Sequence, residues 1–450
     1  MGLNNIEKKT LGYRILCLTM KFWHNKVYNK NYTIIGKENI PFGKPMIFTP
    51  NHQNALMDAL ALLFSVDIIF VFLARADIFK KPYVAKILYF LKILPIYRER
   101  DGSDFKERSN EIFTKTVDII TNGAAMVILP EGNHSRIRRL RPLKKGFARM
   151  AFQTEESNNF KLDIHIVPVG IDYDNFFNYR SSLVIKFGKP IPVSEYVEQF
   201  KESPAIAIND LKDRLSSRMS TLIPNIKSEE YYDTYNDIRG IYRSRIAKKV
   251  GLDVKDLKNR ITLDQETIKR VENTEAKSPE KIAYLNSLVQ KYTDHRNKLN
   301  FSNATIDSKG SCLFSLIMGS LATIGTFPIF LYGLVNNIIP YSLPLWIAGK
   351  MKDEQFRSSV KFVISALAFP IFYILQTSVI YGITDNWEIT MAYLLSLPIT
   401  AIISWKWTRI YMWLSQGWRY GYKKVTKDKN LENLTGNYDK IISLLNEITE

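Results

Sequence analysis

The chain has 450 residues, with 62 lysines and arginines against 44 aspartates and glutamates, for a net charge of +18. At about 100–200 residues per domain this is a multi-unit chain, and a 46% hydrophobic fraction excludes global disorder. Two cysteines, Cys17 and Cys312, exclude a disulfide framework, and the five histidines lie too far apart in sequence for a local metal cluster. An excess of cations favours an anionic partner such as a phosphorylated substrate, anionic lipid or nucleic acid.

Residues 1–31 carry a helical stretch, Tyr13–Tyr28, that mixes Ile15, Leu16, Leu18, Met20, Phe22 and Trp23 with Arg14, Lys21, His24 and Lys26. It reads as a basic interfacial helix on a membrane or as a surface helix packed on its own domain, and not as a cleavable signal peptide. Residues 32–202 alternate strand and helix patterns. Strands are expected at Tyr32–Ile35, Met46–Thr49, Asp67–Phe72, Leu94–Tyr97, Ala125–Leu129, Ile164–Gly170 and Leu183–Phe187. Helices are expected at Ala55–Phe64, Tyr83–Leu91, Phe105–Thr121, Gly146–Gln153 and Val193–Phe200. That order predicts an α/β domain with a mixed, largely parallel sheet. Residues 203–310 are charged and helical in pattern, a helical insert.

Residues 311–422 hold the apolar runs, which outweigh a mean hydropathy of −0.14 for the whole chain. Leu313–Gly349 contains Pro328, Pro340 and Pro344 and is expected as a re-entrant hairpin or an in-plane helix pair, a single span being the alternative. Residues 362–383 and 389–405 are expected to cross the bilayer. Lys350, Lys352, Arg357 and Lys361 flank one end of this pair and Lys406, Arg409, Arg419, Lys423 and Lys424 the other, while the loop Thr384–Glu388 lacks lysine and arginine. This predicts an integral membrane protein with both basic ends cytoplasmic. Residues 423–450 form a polar tail, helical at its end.

Four stretches can carry chemistry. In the first, Pro50-Asn51-His52-Gln53-Asn54-Ala55-Leu56-Met57-Asp58, positions six apart do not face each other on a regular helix. A His52–Asp58 contact therefore needs His52 folded back over the helix start, where Asp58 holds one ring nitrogen and the other takes a proton from a hydroxyl. The plainer alternative makes His52 a cap and leaves Asp58 solvated. In the second, Leu129-Pro130-Glu131-Gly132-Asn133-His134-Ser135, a strand runs into a polar turn of the kind that holds ligands at sheet ends. Arg136, Arg138, Arg139, Arg141, Lys144, Lys145 and Arg149 follow it, a set that suits phosphate, a coenzyme or lipid head groups, or a generic basic surface. The third, Leu94–Arg98, is a strand ending in a cation. The fourth, Ile166-Val167-Pro168-Val169, is an apolar strand with proline at an edge or bulge position. No glycine-rich phosphate loop, Gly-x-Ser-x-Gly elbow or His-Glu-x-x-His motif occurs.

In this order the four stretches resemble the four blocks of the glycerolipid acyltransferase family, over about residues 30–200. The longer layout, with a charged helical insert before C-terminal apolar runs, resembles the fungal-type glycerol-3-phosphate and dihydroxyacetone-phosphate acyltransferases. The resemblance implies His52 as general base on the acceptor hydroxyl, with Asp58 orienting it. It implies Arg98, Arg136, Lys144 and Lys145 as contacts for the acceptor phosphate. Glu131 and Gly132 would line the acceptor site and place the tetrahedral oxyanion, Asn133 and His134 would border it, and Pro168 would shape the cleft wall. The co-substrate would be an acyl thioester of coenzyme A or acyl carrier protein, with no bound cofactor and no metal. The expected partners are the bilayer and a phosphorylated glycerol acceptor, with no nucleic acid.

The chain departs from the family pattern in three places. Five residues separate His52 and Asp58 where four are usual, as in the fungal-type branch. Asn133-His134 stands where Thr-Arg is usual, and Lys92 stands where a glycine precedes the second block. The third-block change leaves open glycerol-3-phosphate, dihydroxyacetone phosphate, lysophosphatidate or another lyso-lipid as acceptor. A membrane-anchored polyanion-binding protein is the non-enzymatic alternative.

Overall fold

The computed structural model describes residues 6–97 and 105–449, so Arg98 of the third stretch lies outside the described residues. The chain divides into two compact units. The first comprises Met1–Asn225, Asp256–Ile261 and Lys352–Ser359, and the second Ile226–Lys255, Thr262–Met351 and Val360–Glu450.

The first unit begins with α1 (Leu11–Phe22), capped by Thr10, whose side chain accepts from the Tyr13 amide. The expected single helix to Tyr28 changes to a π-turn at Trp23–Tyr28. There follow β1 (Asn29–Ile35), β2 (Met46–Pro50), α2 (Leu56–Leu63), β3 (Phe70–Arg75), α3 (Pro82–Phe90), β4 (Ile93–Ile96), α4 (Phe105–Thr121), β5 (Ala125–Val127), α5 (Gly146–Ser157), β6 (His165–Tyr173), β7 (Ser181–Phe187), β8 (Ile191–Pro192), α6 (Val197–Glu202) and α7 (Pro204–Ser220). The eight strands form one sheet in the order β1-β7-β6-β2-β5-β3-β4, with β8 beside β6. β6 runs antiparallel to β7 and β8, and the remaining pairs are parallel.

Parallel strands covered on both faces need continuous apolar runs. β2 and β5 are buried at every position, and β6 at all but its first. Ile47, Val71, Leu94, Met126 and Ile166 share a core with Ile119 and Ile120 of α4 and Phe147 and Phe152 of α5. Ala207, Leu211, Leu215 and Met219, one stripe of α7, join that core. The α/β unit thus reaches Asn225, beyond the boundary expected at residue 202. β3 lies three residues later than the sequence pattern suggested, because Phe72–Arg75 pairs with Ile93–Ile96 while Phe70–Phe72 pairs with Ala125–Val127.

The second unit is helical: α8 (Tyr232–Val250), α9 (Arg260–Lys277), α10 (Pro279–Leu299), α11 (Asn303–Asp307), α12 (Leu313–Gly325), α13 (Phe327–Gly349), α14 (Arg357–Thr384), α15 (Trp387–Val425) and α16 (Lys429–Thr449). Tyr235, Tyr242 and Tyr292 are buried in its core, and Asp264 sits between Arg239 and Arg243, each at 2.8 Å. The expected polar tail, α16, contributes Leu434, Ile441 and Leu445 to that same core. Two helices, Glu354–Thr384 and Trp387–Val425, are long and apolar enough to cross a membrane. α12 and α13 meet at 60° across Thr326, a bent pair that fits a broken span or a re-entrant loop.

Candidate active site

The first stretch folds around Asn51. Its amide side chain donates to the Ile171 carbonyl at 3.1 Å and accepts from the Ile171 N–H at 2.7 Å, completing β2 against β6 with a side chain in place of backbone. The chain then turns through Ala55, whose φ is +45°. Asp58, in the first turn of α2 and fully buried, reaches back over this turn. Its Oδ2 accepts from the Gln53 and Asn54 amides at 2.7 Å each and lies 2.9 Å from His52 Nδ1, while Oδ1 accepts from the Tyr173 hydroxyl at 2.9 Å. His52 is therefore outside the regular helix, and residues six apart in sequence meet. With Asp58 acting as acceptor to every other partner, Nδ1 of His52 is the donor and Nε2 is left as the basic nitrogen.

The second stretch closes over the same turn. Glu131 Oε1 accepts from the His52 amide at 2.7 Å and Oε2 from Arg141 Nε at 2.7 Å. Arg141 also donates to the Asn133 side-chain and main-chain oxygens and to the His52 carbonyl at 3.3 Å. Burial pushes the Glu131 carboxyl up, and Arg141 opposes that shift. Glu131 thus ties the two stretches together and is not among the residues lining the cavity described below. Gly132, at φ +75°, takes a conformation natural to glycine, and its N–H donates to the Leu129 carbonyl at 3.1 Å. That amide is already engaged, so Gly132 borders the site without supplying a free oxyanion donor. The His134 ring stands 5.1 Å from the His52 ring and 4.9 Å from Phe356. Burial, then the His52 charge, lowers its pKa.

A cavity of about 600 Å³ opens beside His52, Gly132, Asn133 and His134. Its depth is apolar: Leu16, Cys17 and Met20 of α1 face Leu56, Ala59, Leu60 and Leu63 of α2 and Leu73 of β3. α1 therefore packs on its own unit by one face, while Leu11, Ile15, Leu18 and Phe22 on its other face are exposed.

The basic run does not form one anion surface. Arg138 is buried and donates to Asp172 at 3.2 Å and to the Tyr173 carbonyl. Arg260 meets the same Asp172 at 2.8 Å, and Arg141 holds Glu131. Arg136 stands 3.9 Å from Glu354 and over the Phe177 ring. Lys144 and Lys145 are exposed at the start of α5, with the Lys144 stem beside Gly132 and its amide donating to the Pro130 carbonyl at 2.7 Å.

Pro168 does not line the cavity. It is buried in β6 opposite Thr49, between the stretches that pair with β8 and with β7, where its missing N–H breaks no ladder bond. Lys92 takes the left-handed conformation, φ +61°, that a glycine favours there, and its ammonium turns inward to the Ile6 and Lys8 carbonyls. No cluster of three potential metal-ligating side chains occurs among the described residues. Tyr173 and Phe356 complete the site and were not singled out from the sequence, while Asn51 and Arg141 were named there only as members of the first stretch and of the basic run. The Tyr173 position at the end of an apolar strand was the one available hint.

Residues 31–172 match the acyltransferase family model. The chain is 27% identical over 157 residues to glycerol-3-phosphate O-acyltransferase 2 of Saccharomyces cerevisiae, covering 34% of this chain and 21% of that protein. It is 27% identical over 201 residues to 1-acyl-sn-glycerol-3-phosphate acyltransferase of Borreliella burgdorferi, covering 43% of this chain and 74% of that protein. Among solved structures, the 1-acyl-sn-glycerophosphate acyltransferase of Thermotoga maritima aligns with a TM-score of 0.30 at 19% identity, covering 44% of this chain and 80% of that one. The match thus spans about a fifth of the yeast relative's length. Residues 31–172 thus match an acyltransferase family model, and the chain is similar to glycerolipid acyltransferases, among them two glycerol-3-phosphate O-acyltransferases of Saccharomyces cerevisiae.

Proposed function

We propose that the protein moves a fatty acyl group from a thioester of coenzyme A or acyl carrier protein to the hydroxyl of glycerol-3-phosphate or dihydroxyacetone phosphate, at the cytoplasmic face of a membrane. The observation that carries this reading is the His52–Asp58 pair, 2.9 Å apart, at the mouth of an apolar cavity that suits an acyl chain. His52 Nε2 takes the proton of the acceptor hydroxyl, and Asp58 holds the imidazolium that forms. The hydroxyl oxygen bonds to the thioester carbonyl carbon. The carbon–sulfur bond then breaks, and the departing thiolate takes the proton back from His52. Lysophosphatidate is the second acceptor to weigh, because the match to the Borreliella protein covers most of that relative.

Purified full-length protein assayed with an acyl thioester and each of the three acceptors in turn tests both readings. His52→Ala is expected to lower kcat by about 10²–10⁴-fold while leaving membrane insertion unchanged. Full activity in that variant rules out the mechanism, and preference for lysophosphatidate selects the second reading.

A further inference from the structure

The segment Lys352–Ser359, between α13 and α14 in sequence, belongs to the catalytic unit. Ser358 holds it there: its hydroxyl donates to the Phe176 carbonyl, and its own carbonyl accepts from the Tyr28 hydroxyl at 3.2 Å. Phe356 lines the cavity that His52 opens on and packs its ring 4.9 Å from His134. Beside it, Glu354 bridges two guanidinium groups, at 2.9 Å from Arg357 and 3.9 Å from Arg136.

These two arginines have capacity left over. Nε and Nη2 of Arg136 and Nε of Arg357 are buried and meet no hydrogen-bond acceptor among the described residues. Buried N–H groups of a cation without acceptors are costly. Glu354 does not satisfy them, and its side chain is 59% exposed, so it can swing aside. A phosphate has more acceptor oxygens than a carboxylate and suits the planar fork of a guanidinium. The location also fits: Arg136 follows His134 by two residues, and His134 occupies the position where the family pattern has arginine.

We infer that Lys352–Ser359 completes the acceptor site, with Arg357 and Arg136 gripping the acceptor's phosphate in the place where Glu354 stands as an internal stand-in anion. This rests on the proposed transfer to a phosphorylated acceptor. It assigns binding residues from a loop between membrane helices to a site otherwise built within the first 225 residues. Because Glu354 competes for the same guanidinium groups, its removal should act opposite to theirs.

The test uses full-length protein in lipid nanodiscs. KM is measured for glycerol-3-phosphate and for lysophosphatidate at saturating acyl thioester, and for the thioester at saturating acceptor. Arg357→Ala is expected to raise the acceptor KM by about ten- to a hundredfold, as loss of charged hydrogen bonds does, with the thioester KM unchanged. The acceptor that shows the rise identifies whether the phosphate is soluble or lipid-borne. Glu354→Gln is expected to lower the acceptor KM several-fold. An acceptor KM within twofold of wild type in Arg357→Ala, or a rise in the thioester KM instead, overturns the inference. So does weaker acceptor binding in Glu354→Gln, which also decides the matter should Arg357→Ala fail to fold. A wild type that acylates no phosphorylated acceptor removes the underlying reading, whereas an active wild type indifferent to both substitutions removes the phosphate clamp alone.

Discussion

His24 shows what burial does to a titratable group away from the His52–Asp58 contact. It is fully buried, its Nδ1 lies 2.6 Å from Asn25 Oδ1, and its ring packs against Tyr32 and Phe64. Burial pushes its pKa down from 6.5 to about 4. The unfolded chain therefore binds a proton near pH 6.5 that the folded chain refuses until about pH 4. The stability His24 contributes is fully present above pH 6.5 and falls as the pH drops through that window, by about 3 kcal/mol in all. Thermal unfolding from pH 7.5 to 4.5 is expected to show a steeper acid loss of Tm in wild type than in His24→Phe. Equal slopes would contradict it. At this scale the sequence disclosed the two residues of the His52–Asp58 contact but not their surroundings. His52 and Asp58 lie in one short stretch, whereas Tyr173 and Arg141 reach them from 115 and 89 residues away, and Phe356 packs on the His134 ring from 222 residues away. Glu131 and Pro168 were legible as positions in motifs, but their duties are set by burial: one ties two loops together, the other sits where a strand changes partners.

Strands and helices were more legible than side-chain roles, because an apolar run or a helical stripe is a local signal. Phe105–Thr121 matches its expected bounds, and β2 and β7 lie within two residues of theirs. The elements that differ are those whose register depends on partners far away, as β3 does, and those whose apolar stripe is diluted by charge, as in α7 and α16. The packing of α13 on α15 depends on small residues that carry no hydropathy signal. A side chain on Gly333 would come within 2.5 Å of the Thr400 carbonyl and also meet the Ser404 hydroxyl, which donates to the Phe330 carbonyl at 3.0 Å. Such close approach is how helices associate in lipid. Gly333→Leu is expected to cost about 1–3 kcal/mol by overpacking, seen as a lowered Tm in detergent. Gly382→Ala, at a position open on all sides, is expected to change Tm little. A Gly333→Leu protein as stable as Gly382→Ala would show that this contact does not hold α13 to α15.

At the scale of the whole chain, length and charge together set how it meets a membrane. α15 has 39 residues, so it runs about 58 Å at 1.5 Å per residue, roughly twice the hydrocarbon thickness of a bilayer. Its apolar first half therefore suffices to span, and Lys406, Arg409, Arg419, Lys423 and Lys424 fall beyond that half. α14, of 28 residues, begins at Arg357 and Lys361 and ends at a short turn, Asp385–Asn386, before α15. With cations at both ends of the pair and none in the turn, the positive-inside rule predicts the turn outside and both ends inside. This orientation is open to labelling. With Cys17 and Cys312 replaced by serine, Asn386→Cys is expected to react with a membrane-impermeant maleimide on intact cells. Lys352→Cys and Gly436→Cys are expected to react only after permeabilisation. Labelling of Lys352→Cys on intact cells would put the His52 site on the opposite side of the membrane from the one proposed, because Lys352 belongs to the same compact unit as His52.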